Sequence, residues 1–388
     1  MRIAVFTDTF YPMMNGIVTS TTSFLKELTA RGHEVLVIAP YNEGIENFQE
    51  ENIKIATLNG MKAFFYPEFK ITVGLKRSLN VYNIVKEFDP QIIHFHTQFI
   101  IGFHGIMIGK KLKKPIVGTF HTYIADEGYL KHIGAQNSLI VKSFSRKYNN
   151  LFYNESDLII CPSENSKKEL LKNKIKNKNI EIVPNPLPFS IDEIIVENDF
   201  IPNINGENII LYVGRLATEK ELDIAIKSIQ VVKEQIPDIL FLIVGKGPNE
   251  QEFRNLVEKL ELQGNVIFLG AIPHEKLIRS DIYVKSKLFL TASSTETQGI
   301  TILEAMGFGL PIIGVDEKGT GELIDNGVNG YKFKKGDFKA IGDKIVHILK
   351  DEETLKNLGR NAFYIAKCFN VKDMTDKLEN AYYNLLKR

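Results

Sequence analysis

Short apolar runs recur along the chain, separated by stretches in which apolar residues return every three or four positions. Ile3–Phe6, Val35–Ile38, Ile92–Phe95, Ile116–Thr119 and Leu158–Cys161 form one series of runs. After a gap, Ile209–Val213, Leu240–Val244, Val266–Leu269, Leu288–Thr291 and Pro311–Val315 form a second. Strand-length runs alternating with helical periodicity predict parallel α/β sheets. One helix is expected over Ser23–Arg31, stopped by Gly32 in the position where glycine ends helices. The gap, from Pro184 to Gly206, is rich in Pro, Asn and acidic residues and reads as a linker between two Rossmann-like halves. This divides the chain into an N-terminal domain (1–185), a linker (186–206) and a C-terminal domain (207–371). Past the second half, Met374, Leu378, Ala381, Tyr382 and Leu385 recur at helical spacing within Lys372–Arg388, an amphipathic helix that must dock on something. Ligands in open α/β sheets bind outside the C-terminal ends of the strands. The chemistry is therefore sought just after the strands, in a cleft between facing halves.

The chain has 388 residues, enough for two or three domains, with 44% hydrophobic and 24% charged residues. That balance excludes disordered, collagen-like and coiled-coil classes. Its two cysteines, Cys161 and Cys368, supply neither a disulfide framework nor a thiolate zinc set, and suit a reducing cytoplasm. The N-terminal residues do not read as a signal peptide, and no apolar stretch is long enough to span a bilayer. The net charge of +1 conceals an imbalance: between Lys54 and Lys178, 20 Lys and Arg stand against 9 Asp and Glu, a net of +11, and the remainder carries −10. Such a basic segment reads either as a solvated surface of uneven charge or as one that attracts an anionic surface, lipid or nucleic acid.

The richest motif runs from Ser294 through Glu296, Thr297, Gln298, Gly299 and Ile300 to Glu304, after the strand Leu288–Thr291 and into a helix. A helix N-terminus presents unpaired N–H groups and the positive end of the dipole, and so binds phosphate. Gly299 allows close approach to the backbone. Glu304, two turns in, is expected to be half buried on an apolar face. A second motif, Val213-Gly-Arg215-Leu-Ala-Thr-Glu-Lys220, places two cations at one strand end. They fit a diphosphate, the arginine as a fork and the lysine as a point charge. The alternative is a surface salt-bridge cluster with Glu219 and Glu221.

The first loop, Asp8 to Asn15-Gly16, lacks the dehydrogenase pattern G-x-G-x-x-G and precedes a helix expected to be capped by Ser or Thr. Gly16 can bring its backbone up to a ligand. His94 and His96 alternate on one strand and share a face, and His121 follows the next strand, where it can contact a sugar or assist catalysis. No carboxylate at suitable spacing completes a metal set with them, and no Asp-x-Asp clamp exists, so a bound diphosphate is expected to be neutralised without a metal. Weaker marks are the Val244–Pro248 glycine turn and Gly270-Ala-Ile272-Pro-His274, where a nucleobase can stack or take backbone hydrogen bonds.

Taken together, Asn15-Gly16, Gly118-Thr-Phe-His121, Pro162-Ser163, Val183-Pro-Asn185, Gly214-Arg215 with Lys220, Gly245-Lys-Gly247-Pro248 and Glu296 to Glu304 resemble the retaining glycosyltransferases of family 4 over nearly the whole chain. The resemblance implies the GT-B fold, with a C-terminal helix returning to the N-terminal domain. It implies that Glu296 holds the donor sugar hydroxyls, Glu304 the nucleotide ribose, Arg215 and Lys220 the diphosphate, and that His121 contacts the sugar. Within the family the chain looks most like the bacterial 1,2-diacylglycerol 3-glucosyltransferases, through Asn15–Ser20, His96–Phe99, Thr119–Thr122, Asp126–Tyr129 with His132-Ile133, and Glu296-Thr-Gln-Gly299. It departs from the family at Val183-Pro-Asn-Pro186, where Pro-Asn-Gly is common.

The implied reaction moves glucose from UDP-glucose to diacylglycerol with retention, with no cofactor or metal. The implied place is the inner, cytoplasmic face of a membrane, where the protein is peripheral. Basic amphipathic segments agree with a lipid partner. They are Ile106–Ile108 with Lys110, Lys111, Lys113 and Lys114; Phe64, Phe65, Tyr66 and Phe69 with Lys62, Lys70, Lys76 and Arg77; and Ser138–Lys147. Nucleic acid is disfavoured because no binding motif accompanies the charge. Two other readings stay open: the same chemistry on a polysaccharide, another glycolipid or phosphatidylinositol with a UDP- or GDP-sugar, and a nucleotide-sugar-binding protein without turnover.

Overall fold

The computed structural model describes residues 1–59, 61–62, 70–71, 75–122, 138–190, 196 and 207–388, with backbone alone at 61–62, 70–71, 75–79 and 139. Phe64, Phe65, Tyr66, Phe69, Asp126–Tyr129, His132-Ile133 and most of the expected linker lie outside the described residues, as do the side chains of Lys62, Lys70, Lys76 and Arg77. The described chain gathers into two compact units. One is drawn from residues 1–122, 138–188 and 371–388, and the other from 189–370.

In the first unit the strands are β1 (Arg2–Phe6), β2 (Glu34–Pro40), β3 (Ile53–Leu58), β6 (Ile92–Phe95), β7 (Ile116–Thr119), β8 (Leu158–Cys161) and β9 (Ile180–Ile182). They form one parallel sheet in the order β3-β2-β1-β6-β7-β8-β9, and a small antiparallel hairpin pairs β4 (Met61–Lys62) with β5 (Lys70–Ile71). The second unit holds β10 (Ile209–Val213), β11 (Leu240–Val244), β12 (Val266–Gly270), β13 (Leu288–Leu290), β14 (Ile312–Val315) and β15 (Gly330–Phe333) in the parallel order β12-β11-β10-β13-β14-β15. All ten apolar runs are strands. Each sheet starts in its middle and reverses direction once, between β1 and β6 and between β10 and β13, which is the doubly wound arrangement.

Helices cover both faces, so consecutive strand residues are buried whichever way they point. Ile3, Ala4, Val5 and Phe6 are all sealed. The first core centres on Phe6, Phe95, Phe120, Phe152 and Tyr153, and the second on Tyr212, Ile229, Phe241, Ile243 and Leu290.

Two expectations change. The first helix spans Gly16–Ala30 and starts seven residues before the periodicity suggests. Its opening turns carry Ile17, Val18, Thr19, Ser20, Thr21 and Thr22, all modest helix formers. Its cap is Asn15, which accepts the N–H of Val18 at 3.0 Å, and not Ser or Thr. The hydroxyls of Thr22 and Ser23 bond back to Val18 and Thr19 carbonyls inside the helix, so they do not compete with it.

The terminal helix, Val371–Leu386, docks on the first unit and contacts the first helix. It buries Met374, Leu378, Ala381 and Tyr382. Arg31 bonds Asp376 at 2.5 Å and also Glu379, His33 meets Glu379 at 2.6 Å, and the Tyr382 hydroxyl meets Nδ1 of His94 at 2.6 Å. Among the described residues no helix is long and apolar enough to cross a membrane.

Candidate active site

In the second sheet β10 and β13 lie side by side, with Ile210 opposite Leu288 and Leu211 opposite Phe289. The loops that leave their C-terminal ends therefore emerge together at the point where strand order reverses. The β10 loop begins with Gly214-Arg215 and closes in the turn Thr218–Lys220. The β13 loop carries Ser294, Thr295 and Glu296. Lys220 crosses to Glu296, with Nζ 2.5 Å from Oε1. This replaces the surface salt-bridge cluster that the β10 loop alone would suggest. Glu219 is buried, and Glu221 instead accepts from the Ser294 hydroxyl at 3.0 Å and pairs with Lys335 at 2.6 Å.

Burial opposes charge on both members of the Lys220–Glu296 pair, but their mutual attraction outweighs it. Lys220 is held above its ordinary pKa and Glu296 below, the latter helped by a bond from Ser293. Arg215 is half buried, and its carbonyl accepts the Tyr212 hydroxyl at 3.1 Å.

Beyond Glu296 the chain turns through Thr297 and Gln298, both buried, to Gly299 at φ 87° and the helix Ile300–Gly307, which has no side-chain cap. The N–H groups of Ile302 and Leu303 return to the Gly299 carbonyl at 3.1 Å and 3.3 Å, so the helix opens on a tight backbone turn. The short helix Lys318–Leu323, which follows β14, packs against this turn. The N–H of Gly319 donates to the Glu296 carbonyl at 2.9 Å, and a Cβ on Gly319 would sit 2.5 Å from Gln298 N and the Thr297 carbonyl. The β10 and β11 loops are joined in the same way: Leu216 N–H donates to Lys246 O at 3.0 Å, and a Cβ on Gly247 would lie 2.2 Å from Leu216 O.

Glu304 corrects an expectation, since it is 2% exposed and not half buried. A buried carboxylate needs partners, and they come from the segment after β12. His274 Nε2 lies 2.8 Å from Oε1, and the Tyr283 hydroxyl donates to Oε2 at 3.0 Å. Burial alone would lower His274, but Glu304 beside it lifts it above its ordinary pKa; burial and Glu304 together push Tyr283 well up. Ile272, two residues before His274, is buried. Sequence reading passed over Tyr283, Lys335 and Gly319, and met His274 only as the end of a motif. A carboxylate on an otherwise apolar helix face was the one signal that a partner had to exist.

The other sequence-derived candidates belong to the first unit. Gly16 is exposed as the first helical residue after Asn15. The Asp8 carboxylate, at the end of β1, accepts from the Thr97 hydroxyl at 2.5 Å and from the N–H groups of Ile101 and Gly102, and so caps the helix Ile100–Leu112. His94, His96 and His121 form a stack with ring centroids 4.1 Å and 5.3 Å apart. His96 Nδ1 lies 3.0 Å from His121 Nε2, and His94 Nε2 lies 2.7 Å from the Thr119 hydroxyl. Burial drives His94 and His121 down to about 3 and His96 well below its ordinary value.

These histidines make stability depend on pH. Each folded histidine is neutral, so its contribution is complete above the unfolded value of 6.5 and is lost as pH falls towards 3. Asp8 works oppositely. Burial raises it from 3.8 to about 6, so its contribution is present at low pH and lost as pH rises through 6. Between pH 6 and 4 the three histidines outweigh Asp8, so across these four groups the unfolded chain holds more protons than the folded one and stability falls with pH. The thermal unfolding midpoint should therefore fall steeply over that range, and less steeply in His94→Gln; a flat wild-type profile would contradict the buried neutral stack.

Comparison with known proteins identifies the family. A family model described as Glycosyltransferase Family 4 matches residues 14–190, and one described as Glycosyl transferases group 1 matches residues 195–363. The alpha-monoglucosyldiacylglycerol synthase of Streptococcus pneumoniae is 29% identical over 327 residues, covering 81% of this chain and 70% of its own. That of Acholeplasma laidlawii is 25% identical over 405 residues, covering 100% of this chain and 98% of its own. Among solved structures, Anabaena HepE in complex with UDP-glucose superposes with a TM-score of 0.80 at 18% identity, covering 99% of this chain and 100% of that one. At that identity the likeness is one of fold, the GT-B fold.

Proposed function

The chain belongs to glycosyltransferase family 4, and from that premise we propose that it moves glucose from UDP-glucose to the 3-hydroxyl of diacylglycerol at an anionic membrane surface, with retention at the anomeric carbon. The observation that carries the chemistry is the Lys220–Glu296 pair at the strand-order reversal, in the same loop pair as Arg215 and the turn Thr297–Ile300.

In this reading Arg215, Lys220 and the turn's N–H groups bind the diphosphate and stabilise the charge that grows as the bond from the sugar's anomeric carbon to the diphosphate breaks. The acceptor hydroxyl bonds that carbon on the same face, and its proton passes to the departing phosphate oxygen. No side chain need become a nucleophile, and the two cations with the helix end stand in for a metal. Glu296 accepts sugar hydroxyls, Glu304 accepts the ribose hydroxyls, and Ile272 lies beside the base. His121, neutral at working pH, contacts the sugar as a hydrogen-bonding group, and Gly16 offers backbone.

The two synthases named above support diacylglycerol as acceptor. The surface supports a lipid interface, since Ile140 is 83% and Phe144 69% exposed on the helix Leu139–Asn154, among Lys142, Arg146 and Lys147. Phe103, Met107 and Leu151 line one groove with Lys110. Apolar side chains amid cations suit the headgroup region of an anionic bilayer. Replacing both Ile140 and Phe144 by Glu should lower flotation with phosphatidylglycerol vesicles at least tenfold while UDP binding persists; unchanged flotation would remove the lipid-surface reading.

The whole proposal is tested by offering UDP-glucose and diacylglycerol in mixed micelles and assigning the product anomer. An α-glucosyl lipid is expected. Transfer from another donor, or only to a different acceptor, would overturn it.

A further inference from the structure

Among the described residues, Glu304 has two side-chain partners, one on each carboxylate oxygen: His274 at 2.8 Å and Tyr283 at 3.0 Å. Neither sits on the helix that carries Glu304. His274 opens the short helix His274–Ile278 after β12, and Tyr283 lies in Ile282–Lys285. Tyr283 is itself immobilised, since it is fully buried with its ring parallel to Phe308, centroids 4.5 Å apart. The carboxylate is thus held from two outside points, which fixes its plane as well as its position.

An ionised carboxylate offers about four acceptor sites, two per oxygen. With one acceptor site on each oxygen taken, one remains on each, about 2.2 Å apart as the two oxygens of any carboxylate are. That leftover pair matches two hydroxyls on neighbouring carbons. It is a poor match for a single hydroxyl, because one site would then be left desolvated and unmet.

We propose that His274 and Tyr283 are positioning residues that orient Glu304 to take both ribose hydroxyls of the donor nucleotide, and thereby make the site reject 2′-deoxyribonucleotides. This rests on the reading that Glu304 faces the ribose. His274 gives Oε1 a donor of fixed direction, so losing it frees the carboxylate to rotate and leaves its charge buried with one partner fewer. Tyr283 does the same for Oε2.

The test is calorimetric titration of the whole chain with UDP and with 2′-deoxy-UDP. The wild type should prefer UDP by about ten- to a hundredfold, the scale of one hydrogen bond to a charged group. His274→Ala and Tyr283→Phe should each bind UDP about tenfold more weakly and bring the preference below about threefold. His274→Gln, which keeps a donor, should recover most of it. A merely structural role would weaken both nucleotides alike and leave the ratio standing, so an unchanged ratio in either folded variant overturns the inference. Glu304→Gln separates the two levels. If it weakens UDP while the His274 and Tyr283 ratios stay at the wild-type value, only the positioning role fails. If it leaves UDP binding untouched, or if UDP does not bind the wild type, the donor-site reading fails with it.

Discussion

Glu296→Gln and Lys220→Ala should each lower sugar transfer by a hundredfold or more while the protein stays folded. Lys220 is the cation assigned to the departing diphosphate, and Glu296 fixes where its ammonium sits, 2.5 Å from Oε1. Removing one preorganised group that meets developing charge slows an enzyme by about 10²–10³. The amide introduced by Glu296→Gln would keep the shape but lose the charge that holds Lys220 in place. Lys220→Ala would remove the cation outright. The structural penalty is modest by comparison, about 1–3 kcal/mol for a pair whose side chains remain 19% and 23% exposed, which a domain this size tolerates. Initial rates at saturating donor, alongside the thermal midpoint, decide the matter. Near-normal turnover in Glu296→Gln would refute the assignment of this pair to catalysis.

Gly319→Ala should be nearly as damaging, although Gly319 is assigned no contact with substrate. The added methyl would fall 2.5 Å from Gln298 N and from the Thr297 carbonyl, all of it backbone that cannot swing aside. Either the helix Lys318–Leu323 retreats or the turn Thr297–Gly299 moves, and in both cases the N–H groups meant for phosphate lose their aim. A shift of about 1 Å in a binding group can cost a hundredfold in rate, and overpacking a tight contact costs about 1–3 kcal/mol. UDP affinity should drop more than tenfold, with a lower thermal midpoint. Gly264→Ala is the control, since nothing lies within 4 Å of its added methyl, and it should leave both unchanged. If Gly319→Ala bound UDP normally, the turn would not be the phosphate cradle.

What the sequence made legible follows from burial. The ten apolar runs are strands covered by helices on both faces, so nearly every residue in them had to be apolar. Within the two large sheets, the strands that escaped notice are β3, β9 and β15, the two edges of the first sheet and one edge of the second. Each of these edge strands is only partly covered, and their sequences IKIATL, IEI and GYKF carry polar residues that break the run. The first turns of the Gly16–Ala30 helix were hidden for another reason, since their β-branched and hydroxyl residues owe their helical state to the Asn15 cap and to packing. At the site, spacing within one loop pointed to Lys220 and Glu296. It carried no sign that they bond each other, because that contact depends on β10 and β13 being neighbours in space while the two residues stand 76 positions apart in the chain. The same holds for His274 and Glu304, which only tertiary packing joins.

The terminal helix has a bearing on how the protein is made. Tyr382 reaches His94 and Glu379 reaches Arg31, so the first sheet is finished by residues that leave the ribosome after the whole second unit has been synthesised. Until then a strip that will cover Met374, Leu378 and Ala381 stays bare. A nascent chain in that condition is a natural client for a holdase. Ribosome-stalled chains ending before Val371 should be far more protease-sensitive across residues 1–188 than chains released past Leu386.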